Sequence, residues 1–127
     1  MVVQRWRWLP LLMMMGVIFY LSHLPGGSVH LPHFRQSDKL AHAMAYCALG
    51  LSFLYALPQL WRSRSLVLAG ISVVAFCFLY GITDEFHQSF VPGRDVSGGD
   101  VMVDVLGGLM AWILYAGWHW WARKQCP

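Results

Sequence analysis

Two blocks of the 127-residue chain, positions 23–42 and 84–104, hold all six of its acidic residues and five of its six histidines. Asp38 and His42 are four positions apart, as are Asp100 and Asp104, while Asp84 precedes His87 and Gln88 by three and four. On a helix these spacings place side chains on one face, about 6 Å apart along the axis for a step of four. Tyr46 extends the first stripe by one turn. Carboxylates, imidazoles, an amide and a phenol gathered in this way can move protons or bind a polar group. Asp84, Glu85 and His87 are candidate general bases, and Arg94, between the second and third stripes, is a candidate phosphate ligand and the natural counter-charge for the nearby acids. Asp84, Glu85, His87 and Asp104 are also the candidate ligands for a divalent cation. Their carboxylates suit Mg, Ca or Mn, and His42 and His87 extend the range to zinc. Asp38, His42, Tyr46, Gln88, Asp100 and Asp104 complete the candidate binding set.

Plainer roles compete with these. After Gly98-Gly99, Asp100 is placed to cap a helix. Asp95, His30 and His33 read as solvated charges, and Asp38-Lys39 as a pair that sets helix depth at an interface. Gly107 and Ala111, at small-x-x-x-small spacing, read as helix packing. The acids, His87 and Arg94 together could form an ion network that only clamps helices, although such networks rarely stabilise more than apolar packing does.

Four apolar stretches must position these groups: about Arg7–Leu24, Asp38–Leu57, Ser65–Phe90 and Asp100–Trp121. Each approaches the roughly 20 helical residues that cross a bilayer. Pro25-Gly26-Gly27, Pro58 and Pro92-Gly93 separate them, and Pro32 lies in the first connection. With 57% hydrophobic and 12% charged residues, against about 25% charged in soluble domains, a chain this small cannot hide its apolar surface in one core. Lipid can. The expected architecture is all-α, a single domain over 1–127 folded as a bundle of four transmembrane helices. No small-residue cleavage site follows the first stretch, which reads as a retained helix. Asp84, Glu85 and Asp104 then lie inside spans, where a charge near the bilayer centre costs roughly 2.5–3.5 kcal/mol, so each needs a partner.

Orientation follows from the basic residues. Arg5, Arg7, Arg62, Arg64, Arg123 and Lys124 fall at one end of the four-span arrangement, against Arg35, Lys39 and Arg94 at the other. Both termini are expected in the cytoplasm of an inner-membrane protein, with the chemistry at the outer leaflet. Trp118, Trp120 and Trp121 before Arg123 and Lys124 read as an interfacial anchor. The net charge of +3, without a basic helix or an aromatic RNA-binding signature, argues against a nucleic-acid partner. Cys47, Cys77 and Cys126 show no paired spacing, and the first two sit in apolar runs as small hydrophobes.

The run Asp38-Lys39-x-x-His42-x-x-x-Tyr46 resembles the second-helix motif of the VanZ family. So does Asp84-Glu85-x-x-Gln88-x-Phe90-x-Pro92-Gly93-Arg94-x-x-Ser97-x-x-Asp100-x-x-x-Asp104-x-x-Gly107, the family's strongest signature, and the Ser22-x-x-Pro25-Gly26 stop is similar too. In order, these pieces cover most of Ser22 to Gly107. The resemblance adds Ser97 to the binding candidates. It implies an integral membrane protein of a family named for a member linked to resistance to the lipoglycopeptide teicoplanin. One position departs: Asp104 stands where the family often has Asn, which adds a carboxylate to the site.

Three functions fit these residues. An envelope protein would bind or rearrange a membrane lipid or lipid-linked amphiphile. A membrane-embedded hydrolase or transferase would act on a lipid head group, although no G-x-S-x-G, H-E-x-x-H or P-loop motif is present. Ion or proton transport would use the intramembrane acids, but so small a bundle needs oligomerisation to form a pathway.

Overall fold

The computed structural model describes residues 5–26, 28 and 37–125, and is all-helical among them. His30, Pro32, His33, Arg35 and Cys126 lie outside the described residues. A single 3-10 turn, Arg5–Trp8, leads into α1 (Leu9–His23), followed by α2 (Ser37–Ala56), α3 (Gln59–Arg64), α4 (Leu66–Gln88) and α5 (Gly98–Gln125). The four expected apolar stretches are the four long helices. The short α3 was not anticipated: it occupies the basic connection after Pro58.

Local chemistry sets the helix ends. Pro10 lies in the first turn of α1, where its missing N–H costs nothing. The Ser65 hydroxyl accepts from the Leu68 N–H at 3.3 Å and caps α4. Ser97 does the same for α5, accepting from the Gly99 N–H at 3.2 Å, the position that favours Ser, Thr, Asp or Asn. Asp100 is therefore not the cap and is free for an ion pair. The two glycine breaks meet each other. The Gly26 N–H donates to Pro92 O at 3.1 Å, Gly93 turns the chain at φ +75°, and any side chain on Gly26 would strike the Gly93 carbonyl. This contact brings the exits of α1 and α4 to one end of the molecule.

α5 packs most closely on α2 and then on α4. The seam is made by small residues. A Cβ on Gly107 would lie 2.6 Å from Ala43 O on α2, and one on Gly108 would lie 2.9 Å from the Cys77 sulfur on α4. Gly107 and Ala111 are buried, as their spacing led one to expect, and so is Gly108. α1 closes the bundle over Leu49, Leu54, Val73 and Cys77, and the Tyr80 hydroxyl of α4 donates to Met15 O at 2.8 Å. Cys47 and Cys77 are buried free thiols.

Polarity runs inside out. Phe86 is 67% exposed, while Asp104, on the neighbouring helix, is fully buried. Val17, Phe19, Ile71, Leu79, Leu106 and Ile113 face outward, and Asp84, Glu85 and Gln88 face inward. α4 and α5 are long and apolar enough to cross a membrane.

Candidate functional site

α2 and α5 run parallel, and their first turns form a polar ladder. Lys39 Nζ meets Asp100 Oδ1 at 3.0 Å, and one turn further His42 Nδ1 meets Asp104 Oδ1 at 3.0 Å. Asp104 reaches the interior because α4 offers Gly81 opposite it; a Cβ there would lie 2.8 Å from Asp104 Oδ2. Among the described residues that second carboxylate oxygen is buried without a hydrogen-bond partner. Tyr46 continues the ladder, its ring lying nearly parallel to that of His42 and its hydroxyl also buried and unpartnered among them. Both orphaned oxygens carry a desolvation cost of roughly 1–3 kcal/mol, more for a charge, which a bound polar group would offset.

Consecutive residues on a helix diverge by about 100°, and Asp84 and Glu85 accordingly serve different neighbours. Asp84 Oδ2 accepts from Gln88 Nε2 at 3.0 Å, and the same amide nitrogen lies 3.4 Å from the Ser22 hydroxyl of α1. Glu85 Oε2 accepts from the Ser97 N–H at 2.8 Å, which ties the end of α4 to the start of α5. His87 turns to α1 instead. It stacks on Phe19 at 4.4 Å between centroids and comes within 3.3 Å of His23 Nδ1. Arg94 donates from Nε to Leu24 O at 3.0 Å and from a terminal guanidinium nitrogen to Leu21 O at 2.5 Å. These are the last carbonyls of α1, where the helix dipole favours a cation. The expectation that Arg94 is the counter-charge of the acids is corrected: its hydrogen bonds go to backbone, Lys39 makes the ion pair with Asp100, and His42 hydrogen-bonds Asp104.

A cavity of about 150 Å³ opens between α1, α2 and α4. Asp38, His42, Tyr46, Asp84, Gln88 and Arg94 line it together with Ser22, against an apolar wall of Ile18, Leu21 and Ala45. Six candidates therefore converge on one space, with Asp104 held behind His42. Glu85, Ser97 and Asp100 instead join helices around it. Ser22 was visible only as part of the stop after the first helix, and its place in the cavity has no helical-periodicity signal. Among the described residues no three His, Cys, Asp or Glu side chains are grouped to hold a metal ion. The proposed ligand set Asp84, Glu85, His87 and Asp104 is dispersed because Asp84 and Glu85 diverge, His87 packs on α1 and Asp104 pairs with His42.

An acidic cavity inside an all-helical bundle with an apolar exterior defines a class of protein suited to lipid surroundings. The VanZ/LLP1 family profile matches residues 7–121, and the chain belongs to that family. No curated protein and no solved structure matches it.

Proposed function

We propose that this chain is a four-span protein of the inner membrane that binds or rearranges an amphiphile at the outer leaflet. The inverted polarity is the observation that carries this reading: Asp84, Gln88 and Asp104 are buried around a cavity while Phe86 and Leu106 face outward. In water such an arrangement leaves apolar surface uncovered, whereas lipid covers that surface and the interior keeps the polar groups out of hydrocarbon. The 20 residues of α2 give it a length of about 30 Å at 1.5 Å per residue, and α1 with its leading turn approaches the same span. The basic residues at the opposite end favour a cytoplasmic location for both termini. A cavity with polar and apolar walls suits a molecule with a polar head and an apolar body. By engaging such molecules the protein would alter how a lipid-anchored glycopeptide such as teicoplanin meets the envelope, the role for which the family is named.

Expression at matched levels in a teicoplanin-sensitive host tests this reading. The wild-type chain should raise the inhibitory concentration several-fold, His42→Gln and Asp84→Asn should lose that effect, and Asp95→Asn should keep it. An unchanged inhibitory concentration with the wild type removes the resistance role. Equal behaviour of cavity and loop variants removes the site.

A second reading is favoured by the His42–Asp104 pair. A carboxylate bound to Nδ1 orients an imidazole and leaves Nε2 to act as a general base. In a lipid-head-group hydrolase or transferase His42, rather than His87, would be that base. Turnover of phospholipid substrates by the reconstituted protein, abolished in His42→Gln, would distinguish catalysis from binding alone.

A further inference from the structure

The end of the molecule opposite the acids contains a second cavity, of about 280 Å³, lined by Gln59, Arg62, Tyr115, Trp118, His119 and Ala122. It is built where α3 meets the last turns of α5. No Asp or Glu lies at this end: all six acids belong to the first turns of α2 and α5, the last turns of α4, or the loop between α4 and α5. The Lys39–Asp100 and His42–Asp104 pairs are likewise at the far end. The cations here are therefore uncompensated by carboxylate side chains. Arg7 lies over the Tyr55 ring, 4.8 Å from its centroid, and donates to Tyr55 O. Lys124 stands over the Trp120 ring at 3.7 Å. Arg62 has no such arrangement at its Nε, which is buried without a hydrogen-bond partner among the described residues.

We propose that this pocket binds a phosphate group, with Arg62 as its principal ligand. Arg62 lines the cleft together with a phenol, an imidazole and an amide, a set of side chains able to donate to an oxyanion. A guanidinium matches phosphate oxygens with two parallel N–H donors. Burial, and then the neighbouring Arg7 charge, push the Arg62 guanidinium below its ordinary value; an anion would relieve both penalties. Trp118 and Ala122 supply an apolar wall, which a phospholipid head group at the membrane surface could use as well as a soluble phosphate ester.

Isothermal titration calorimetry of the full chain in neutral detergent, with inorganic phosphate and dioctanoyl phosphatidylglycerol as separate probes, tests the site. Saturable one-to-one binding of at least one probe is expected, weakened roughly tenfold or more in Arg62→Gln and unchanged in Arg64→Gln, which does not line the pocket. Binding of the lipid alone assigns a head group, and binding of inorganic phosphate assigns a soluble source. Circular dichroism checks that Arg62→Gln folds; if it does not, Tyr115→Phe provides the test, with affinity expected to fall roughly two- to fivefold for a lost neutral hydrogen bond. Failure of both probes to saturate, or unchanged affinity in every folded pocket variant, overturns the proposal.

Discussion

The His42–Asp104 pair joins a fully buried carboxylate to an imidazole on the neighbouring helix. Asp104 is fully buried, and His42 is its one hydrogen-bonding partner among the described residues. Removing one member of a buried hydrogen-bonded pair leaves the other unsatisfied at a cost of about 1–3 kcal/mol, more if it is charged, whereas replacing both by apolar groups can be nearly neutral. His42→Leu should therefore lower thermal stability in detergent more than the double variant His42→Leu, Asp104→Leu. Asp104→Asn retains an acceptor for His42 Nδ1 and should cost less than about 1.5 kcal/mol. Equal losses in the single and double leucine variants would show that the pair contributes no coupling. The pairing itself was not legible in the chain. Local spacing joins Asp38 to His42, but the partner of His42 is 62 positions away, and only the parallel packing of α2 on α5 brings it near.

Helix packing in this bundle depends on missing side chains more than on large ones. Gly107 sits against the α2 backbone at Ala43, while at Gly117, on the same helix, an added methyl group would meet nothing within 4 Å. In the proposed membrane setting, apolar lipid supplies little drive for helices to associate, so close backbone approach and van der Waals contact would hold α2 to α5. Gly107→Val should destabilise the bundle by about 1–3 kcal/mol through overpacking. Gly117→Ala should be neutral or stabilising by up to about 1 kcal/mol, since it removes only backbone freedom. Thermal melts of the two variants in one detergent would check the contrast, and similar melting temperatures would mean that the seam at Gly107 is not tight. The short connection Val91–Gly99 is enough to make α4 and α5 antiparallel neighbours. It could not specify that α5 also lies along α2, because that contact joins elements distant in sequence.

Over the whole molecule, charge is segregated along the helix axes, with every acid at one end and most arginines at the other. In a membrane this asymmetry sets orientation, because basic segments are retained on the cytoplasmic side. Cysteine labelling in a Cys126→Ser background tests the proposed topology; Cys47 and Cys77 are buried. A membrane-impermeant maleimide should label Asp95→Cys in intact spheroplasts and Gln59→Cys only after permeabilisation. The opposite pattern would put the acidic cavity on the cytoplasmic side and exclude a role at the outer leaflet.

The chain by itself determined the helical class, the breaks at Pro25, Pro58 and Pro92, and the collection of acids at one end. These follow from local apolar length, turn chemistry and sequence position. Partner choice was decided by tertiary structure. Arg94 looked like the counter-ion of the acids, yet it binds Leu21 and Leu24 carbonyls because the Gly26–Gly93 contact places the end of α1 beside it. Asp84 and Glu85, adjacent in sequence, were separated by the roughly 100° helical step into a cavity residue and a tie to Ser97. Helical spacing specifies which face a side chain occupies; which helix meets that face depends on close packing among residues far apart in the chain.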